Sequence, residues 1–184
     1  MTPYPGRGTL LCLVLTVFCL LTLLIPQPGM ADISLPQANG ETLKLPVPAE
    51  RIITLAPNLA ELLFAAGAGD KLEAVVEYSN FPAQVADIPR VGDAFRIDLE
   101  RIISLKPDLV IAWSSGNPQT ALQKLQDLGI TVLQVEVLRP EEIADAVEIL
   151  ARAAGTEDTG MRIAARLRQK LAQLHRDNIN KPVV

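Results

Sequence analysis

The chain has 184 residues, 49% hydrophobic and 4% aromatic, with two cysteines, one histidine and a formal charge of −4 from 17 basic and 21 acidic groups. That length can bury a sizeable core, and the hydrophobic content excludes intrinsic disorder. A mildly acidic chain without a clustered basic surface also excludes nucleic acid as a partner.

These averages mix two unlike stretches. Thr9 to Ile25 is uncharged and apolar apart from its threonines, is preceded by Arg7, and is followed by Pro26-Gln-Pro-Gly-Met-Ala31. A basic start, an apolar run and small residues at Gly29 and Ala31 read as a secretory signal, residues 1–31, cleaved after Ala31. The run is slightly short of the about 20 residues a spanning helix needs, which places a cleaved signal ahead of an uncleaved anchor. Neither Cys12 nor Cys19 follows the small residues of a lipoprotein signal, so no lipid anchor is expected. The leader holds one basic group, Arg7, and no acid, leaving 16 basic against 21 acidic groups and a charge of −5. Both cysteines leave with it, so the exported chain is neither a disulfide scaffold nor a thiol enzyme.

In chain order, Ile33 to Leu45 sets two apolar-alternating runs around Asn39-Gly40, which predicts a small hairpin ended by Pro46 and Pro48. Ile52 to Ala56 reads as a buried strand. Asn58 with Glu61 has capping-box spacing for a helix ending at Gly67 or Gly69. Leu72 to Glu77 is a second strand, and Asp98 caps a short helix through Leu105 that Lys106-Pro107-Asp108 breaks. Leu109 to Trp113 is a third strand, apolar throughout. Asn117-Pro118 has the order N-cap then first turn for a helix closing at Gly129. Ile130 to Val137 is a fourth strand, and Pro140 to Ala154 a helix stopped by Gly155. Strands apolar on both faces and separated by helices predict an α/β fold, a parallel sheet flanked by helices. Ligands of such sheets bind beyond the carboxyl ends of the strands.

Thr156 is expected to cap a helix to about Asn178, with Ile163, Leu167, Leu171 and Leu174 on one face. At roughly 30 Å it is too long to cover one small sheet. Lys181 to Val184 reads as the beginning of another strand.

Outside the leader the aromatics are Phe64, Tyr78, Phe81, Phe95 and Trp113. Phe64 lies inside a helix and belongs to the core. The other four follow strands or sit in the loops behind them, at one end of the sheet, as a flat apolar ligand surface or as plugs of the sheet ends. Ser114-Ser115-Gly116-Asn117 is either a polar rim leading into a helix N-terminus or a simple turn and cap. No phosphate-loop motif is present. His175, the sole histidine, lies on the long helix, so zinc sites and Ser-His or Cys-His nucleophile pairs are excluded for a single chain. Glu61, Glu77, Asp93, Asp98 and Glu100, all near the loop end, read first as caps and solvated charges, and paired carboxylates among them stay open. No enzymatic set emerges from these residues, and no cofactor or metal is expected.

Arg51-Ile-Ile-Thr-Leu-Ala-Pro-Asn58 with Glu61 and Ala-Ala-Gly67, Tyr78-Ser-Asn-Phe-Pro82, Val91-Gly-Asp93, Asp98-Leu-Glu-Arg-Ile102 and Lys106-Pro-Asp-Leu-Val-Ile-Ala-Trp113 carry a resemblance. They resemble the periplasmic solute-binding proteins of ABC transporters for cobalamin, haem and iron siderophores. The Tyr78 stretch, and Trp113 followed by a Gly-Asn turn, are most similar to the cobalamin-binding members.

The resemblance implies two α/β lobes joined by a rigid helix, with ligand between them. Residues 32–155 would be the first lobe, 156–180 the connector, and 181–184 the start of a second lobe whose remainder is not in the sequence. By position, Asn58 and Tyr78 would contact a corrinoid, and Trp113 and Ser114 would lie beside the same cleft. Phe95 or Ala94 falls where those proteins often have tryptophan. Glu100 matches the glutamate that docks the first lobe on arginines of the membrane permease. The implied partners are therefore cobalamin or a related corrinoid and an ABC permease, at the membrane surface of the periplasm. With one wall instead of two, weakened binding is expected. A haem or ferric-siderophore binder is the nearer alternative, a membrane-tethered sensor or interaction module the next, and a secreted hydrolase the third.

Overall fold

The computed structural model describes residues 32–179, with side chains through Arg176. The leader, its cleavage after Ala31 and the strand start at 181–184 lie outside the described residues.

β1 (Ile33–Pro36) and β2 (Thr42–Leu45) form the expected antiparallel hairpin, with Ile33 opposite Leu45 and Pro36 opposite Thr42. Its loop is wider than a two-residue turn. Asn39 accepts the Glu41 amide at 3.0 Å, and Gly40 supplies the positive φ of 85°.

Four short strands make a parallel sheet: β3 (Ile52–Thr54), β4 (Leu72–Ala74), β5 (Leu109–Trp113) and β6 (Val132–Val135), ordered β4-β3-β5-β6. Each of the three other than β5 is shorter than its apolar run. Beyond Ala74 the second run forms no further strand and bonds the 89–92 segment, with Val75 bridged to Arg90 and the Glu77 amide on the Gly92 carbonyl, so its end belongs to a loop edge. The helices are α1 (Pro57–Ala65), α2 (Leu99–Leu105), α3 (Gln119–Asp127), α4 (Glu142–Ala154) and α5 (Glu157–Ile179).

Alternation along the strands feeds two cores. Ile52, Leu109, Ile111, Leu133 and Val135 pack with α1, α4 and the hairpin residues Leu35 and Leu45. Ile53, Val110, Ala112 and Val132 pack with Ile102 of α2 and Leu122 and Leu125 of α3. Continuous apolar strands are thus the signature of a sheet covered on both faces. The connection leaving β3 runs to β4 on one side and the connection leaving β5 runs to β6 on the other, so the topological switch point lies between the neighbouring strands β3 and β5.

Two helix starts differ from expectation, those at Asn58 and Asn117. Asp98 does cap α2, accepting the Arg101 amide at 3.0 Å. Asn58 does not cap α1: Ala56 holds the cap position and Pro57 the first turn, because proline's fixed φ and missing N–H suit that place. Pro118, not Asn117, precedes α3. Thr156 stands just before α5, but its hydroxyl donates to the Ala66 carbonyl at 2.7 Å and ties the helix to the end of α1.

α5 packs against α4 through small residues more than through the predicted leucine stripe. A Cβ on Gly160 would meet the Ala151 Cβ at 2.2 Å, and Ala164 is fully buried. Ile163, Leu167 and Leu171 are half-buried, and Leu174 is exposed. Arg168 ties the pair at its rim, bonding Asp145 and Glu148 of α4. Among the described residues no helix is long and apolar enough to cross a membrane.

Candidate functional site

Three loops leave the carboxyl ends of β3, β4 and β5, and one buried side chain joins two of them to the loop at 92–97. Asn117 Oδ1 accepts the Trp113 amide at 2.7 Å. Its Nδ2 donates to the carbonyls of Leu55 and Ala94, both at 2.9 Å. Asn117 therefore clamps the ends of β5 and β3 and the loop carrying Phe95. Its position before Pro118 imitates a helix cap, which is why local sequence reasoning misassigned it.

The loop after β4 is held by Arg90. Its guanidinium donates to the carbonyls of Ser79, Val85 and Ile88 at 3.0–3.1 Å. The Glu77 amide donates to the Gly92 carbonyl, bringing Tyr78 beside the 92–97 loop. Tyr78 has φ +67°, a conformation that costs an aromatic residue about 1–3 kcal/mol and persists only where neighbours enforce it. Asp93 organises the next loop, accepting the amides of Phe95 and Arg96 at 2.8 Å. Those two amides hold the Asp93 carboxyl below the ordinary aspartate range. At Gly92, φ is +88° and a Cβ would strike the Arg96 carbonyl, so only glycine closes this loop.

Trp113 ends β5 with its ring against the turn that follows. A Cβ on Gly116 would lie 1.9 Å from the indole. Its Nε1 donates to Glu136 Oε1 at 2.9 Å, and Glu136 Oε2 accepts the Ser115 amide at 2.9 Å. Burial pushes the Glu136 carboxyl up, but bonds from Ser115 and Trp113 outweigh it and leave it below the usual glutamate range.

Tyr78, Phe81 and Phe95 are 79%, 66% and 68% exposed, whereas Phe64 packs on the core and Trp113 is half-buried. Plugs of the sheet ends would be buried; these three present their rings to solvent along the carboxyl edge. Asn58 is exposed in the first turn of α1, three residues beyond Leu55. Ser114 is half-buried and spent on structure, since its hydroxyl donates to Gln134 at 3.3 Å and its carbonyl accepts from Gln119. Glu100 is exposed in the first turn of α2 and has no ion pair among the described residues. Among the described residues no group of three His, Cys, Asp or Glu side chains could hold a metal. Arg90 and Glu136 are not legible in the sequence because their anchoring partners are distant along it, Ser79 at 11 positions from Arg90 and Trp113 at 23 from Glu136.

The chain thus has a parallel sheet with exposed aromatics along its carboxyl edge, followed by a long helix. The periplasmic binding protein family model matches residues 52–182, more than half of the chain, and the chain belongs to this family. It is 46% identical over 132 residues to the vitamin B12-binding protein of Vibrio cholerae, covering 72% of this chain and 48% of that one. It is 40% identical to the vitamin B12-binding protein of Photorhabdus laumondii, over 67% of this chain and 45% of the relative.

Among solved structures, the periplasmic vitamin B12 binding protein BtuF of Vibrio cholerae aligns with TM-score 0.69 and 44% identity, over 72% of this chain and 52% of its own. The periplasmic heme binding protein HutB of the same organism aligns with TM-score 0.63 and 27% identity, over 73% and 51%. The chain spans about half the length of the curated relatives it matches.

Proposed function

We propose that this chain supplies the first lobe and connector helix of a periplasmic binding protein that captures a corrinoid of the cobalamin type for an ABC importer. The observation that supports it is the row of exposed aromatics, Tyr78, Phe81 and Phe95, held in place on the carboxyl edge. Large planar side chains with few rotors give apolar contact at low entropic cost, which suits a flat macrocycle. Asn58 and Trp113 would flank that surface, and Ser114 would act through the turn it supports. The similarity to vitamin B12-binding proteins agrees in ligand class. No chemical step is involved: the lobe binds and delivers.

Titration of the 184-residue chain with cyanocobalamin, haemin and a ferric siderophore tests this, with Trp113 as the single tryptophan reporter. Saturable quenching by cyanocobalamin is expected, weakened about tenfold by Tyr78→Ala. One lobe covers one ligand face, so affinity below that of a two-walled cleft is also expected. Tight haemin binding with no response to cyanocobalamin overturns the corrinoid reading.

Localisation to the periplasm would follow cleavage of the leader after Ala31, and N-terminal sequencing of exported protein should begin at Asp32. Glu100, exposed on α2 and without an ion pair among the described residues, would dock on basic residues of the permease. Glu100→Arg should then abolish uptake while leaving cyanocobalamin affinity unchanged; equal loss of both contradicts docking.

A further inference from the structure

Trp113 is the one aromatic of the carboxyl edge whose polar atom is already spent. Its indole N–H goes to Glu136 at 2.9 Å, one ring face lies against Gly116, and the ring as a whole is half-buried. The second oxygen of the same carboxylate holds the Ser115 amide at 2.9 Å, so one side chain from the end of β6 fixes both the ring and the turn behind it. A bond to an ionised acceptor is about twice as strong as a neutral one, and two divergent bonds fix direction as well as distance.

We propose that Glu136 is a positioning residue of the ligand wall: it holds the Trp113 indole in one orientation, so that a flat ligand meets a fixed apolar ring and no free N–H. Glu136 itself makes no ligand contact in this arrangement. With the indole N–H occupied, contact at Trp113 is purely apolar, and polar groups on a ligand's rim must be recognised elsewhere. The alternative is a ring that swings about χ1 and χ2, whose ordering on binding would cost affinity. This inference rests on the corrinoid reading only for its ligand.

The test uses the 184-residue chain, in which Trp113 is the sole tryptophan, and the variants Glu136→Leu and Glu136→Gln. Without any ligand, Glu136→Leu is expected to shift Trp113 emission and lower its anisotropy while circular dichroism stays unchanged. Glu136→Gln keeps an acceptor for the indole and is expected to restore much of the anisotropy. With cyanocobalamin, Glu136→Leu should raise Kd about tenfold, the size of one charge-assisted bond. Trp113→Ala combined with Glu136→Leu should weaken binding no further than Trp113→Ala alone.

Unchanged anisotropy in Glu136→Leu overturns the proposal, as does additive loss in the double variant. A folded wild-type chain that ignores cyanocobalamin overturns the corrinoid reading instead, and the ligand-free anisotropy still decides the role of Glu136.

Discussion

Along α4 and α5, glycine and alanine bring two backbones into contact, Gly160 against Ala151 with Ala164 buried beside them. At the carboxyl edge the large side chains stay outside, and Asn117, Arg90, Asp93 and Glu136 hold the loops by bonds to backbone atoms and to the Trp113 indole. The helix pair is rigid because space is filled, and the edge is rigid because polar groups are satisfied. Filled space leaves nothing for a ligand to touch. A surface that must stay apolar and open can be held only from behind, by polar groups whose partners are backbone.

That contrast predicts which changes break the molecule and which only loosen it. Asn117→Ala should have the largest effect. It strands the Trp113 amide and the Leu55 and Ala94 carbonyls, costing about 3 kcal/mol or more in urea unfolding and erasing the Trp113 response to cyanocobalamin. Gly160→Val should cost about 1–3 kcal/mol by the same measurement, since the added carbons must displace Ala151; ligand affinity per folded molecule should remain.

Arg168→Met removes ion pairs to Asp145, which is well exposed to water, and to Glu148, which is partly exposed. Solvent screening limits their worth, so a loss of at most about 1 kcal/mol is expected, shrinking further in high salt. The smallest effect is a pH dependence at Asp93. Its folded carboxyl titrates below the ordinary range, so the loop's stabilisation is complete above about pH 3.9, the unfolded value, and is lost as pH falls through the lower folded value. Amide shifts of Phe95 and Arg96 followed by NMR should move with a midpoint below 3.9. A midpoint at or above that value would mean the turn does not depend on the carboxylate.

Much of the fold is legible in local patterns. Continuous apolar runs at Ile52, Leu109 and Val132 specify strands buried on both faces, Asp98 caps its helix, and no proline interrupts the sequence between Glu157 and Ile179. Asn58 and Asn117 look like caps and are not, because proline beside each decides the helix start and frees the asparagine for other use. The stripe from Ile163 to Leu174 looks like the buried face of α5, yet the tight contact is made by Gly160 and Ala164.

Composition and hydropathy by themselves determined an α/β sheet, a long final helix and aromatics gathered after the strands, since burial and backbone conformation follow from residue type at short range. Only the tertiary structure decided which polar residues hold those aromatics. Asn117 reaches Leu55 across 62 positions and Glu136 reaches Trp113 across 23, so their roles exist only once the parallel strands have been brought side by side. Hydrogen bonds act over about 3 Å in space whatever the separation along the chain.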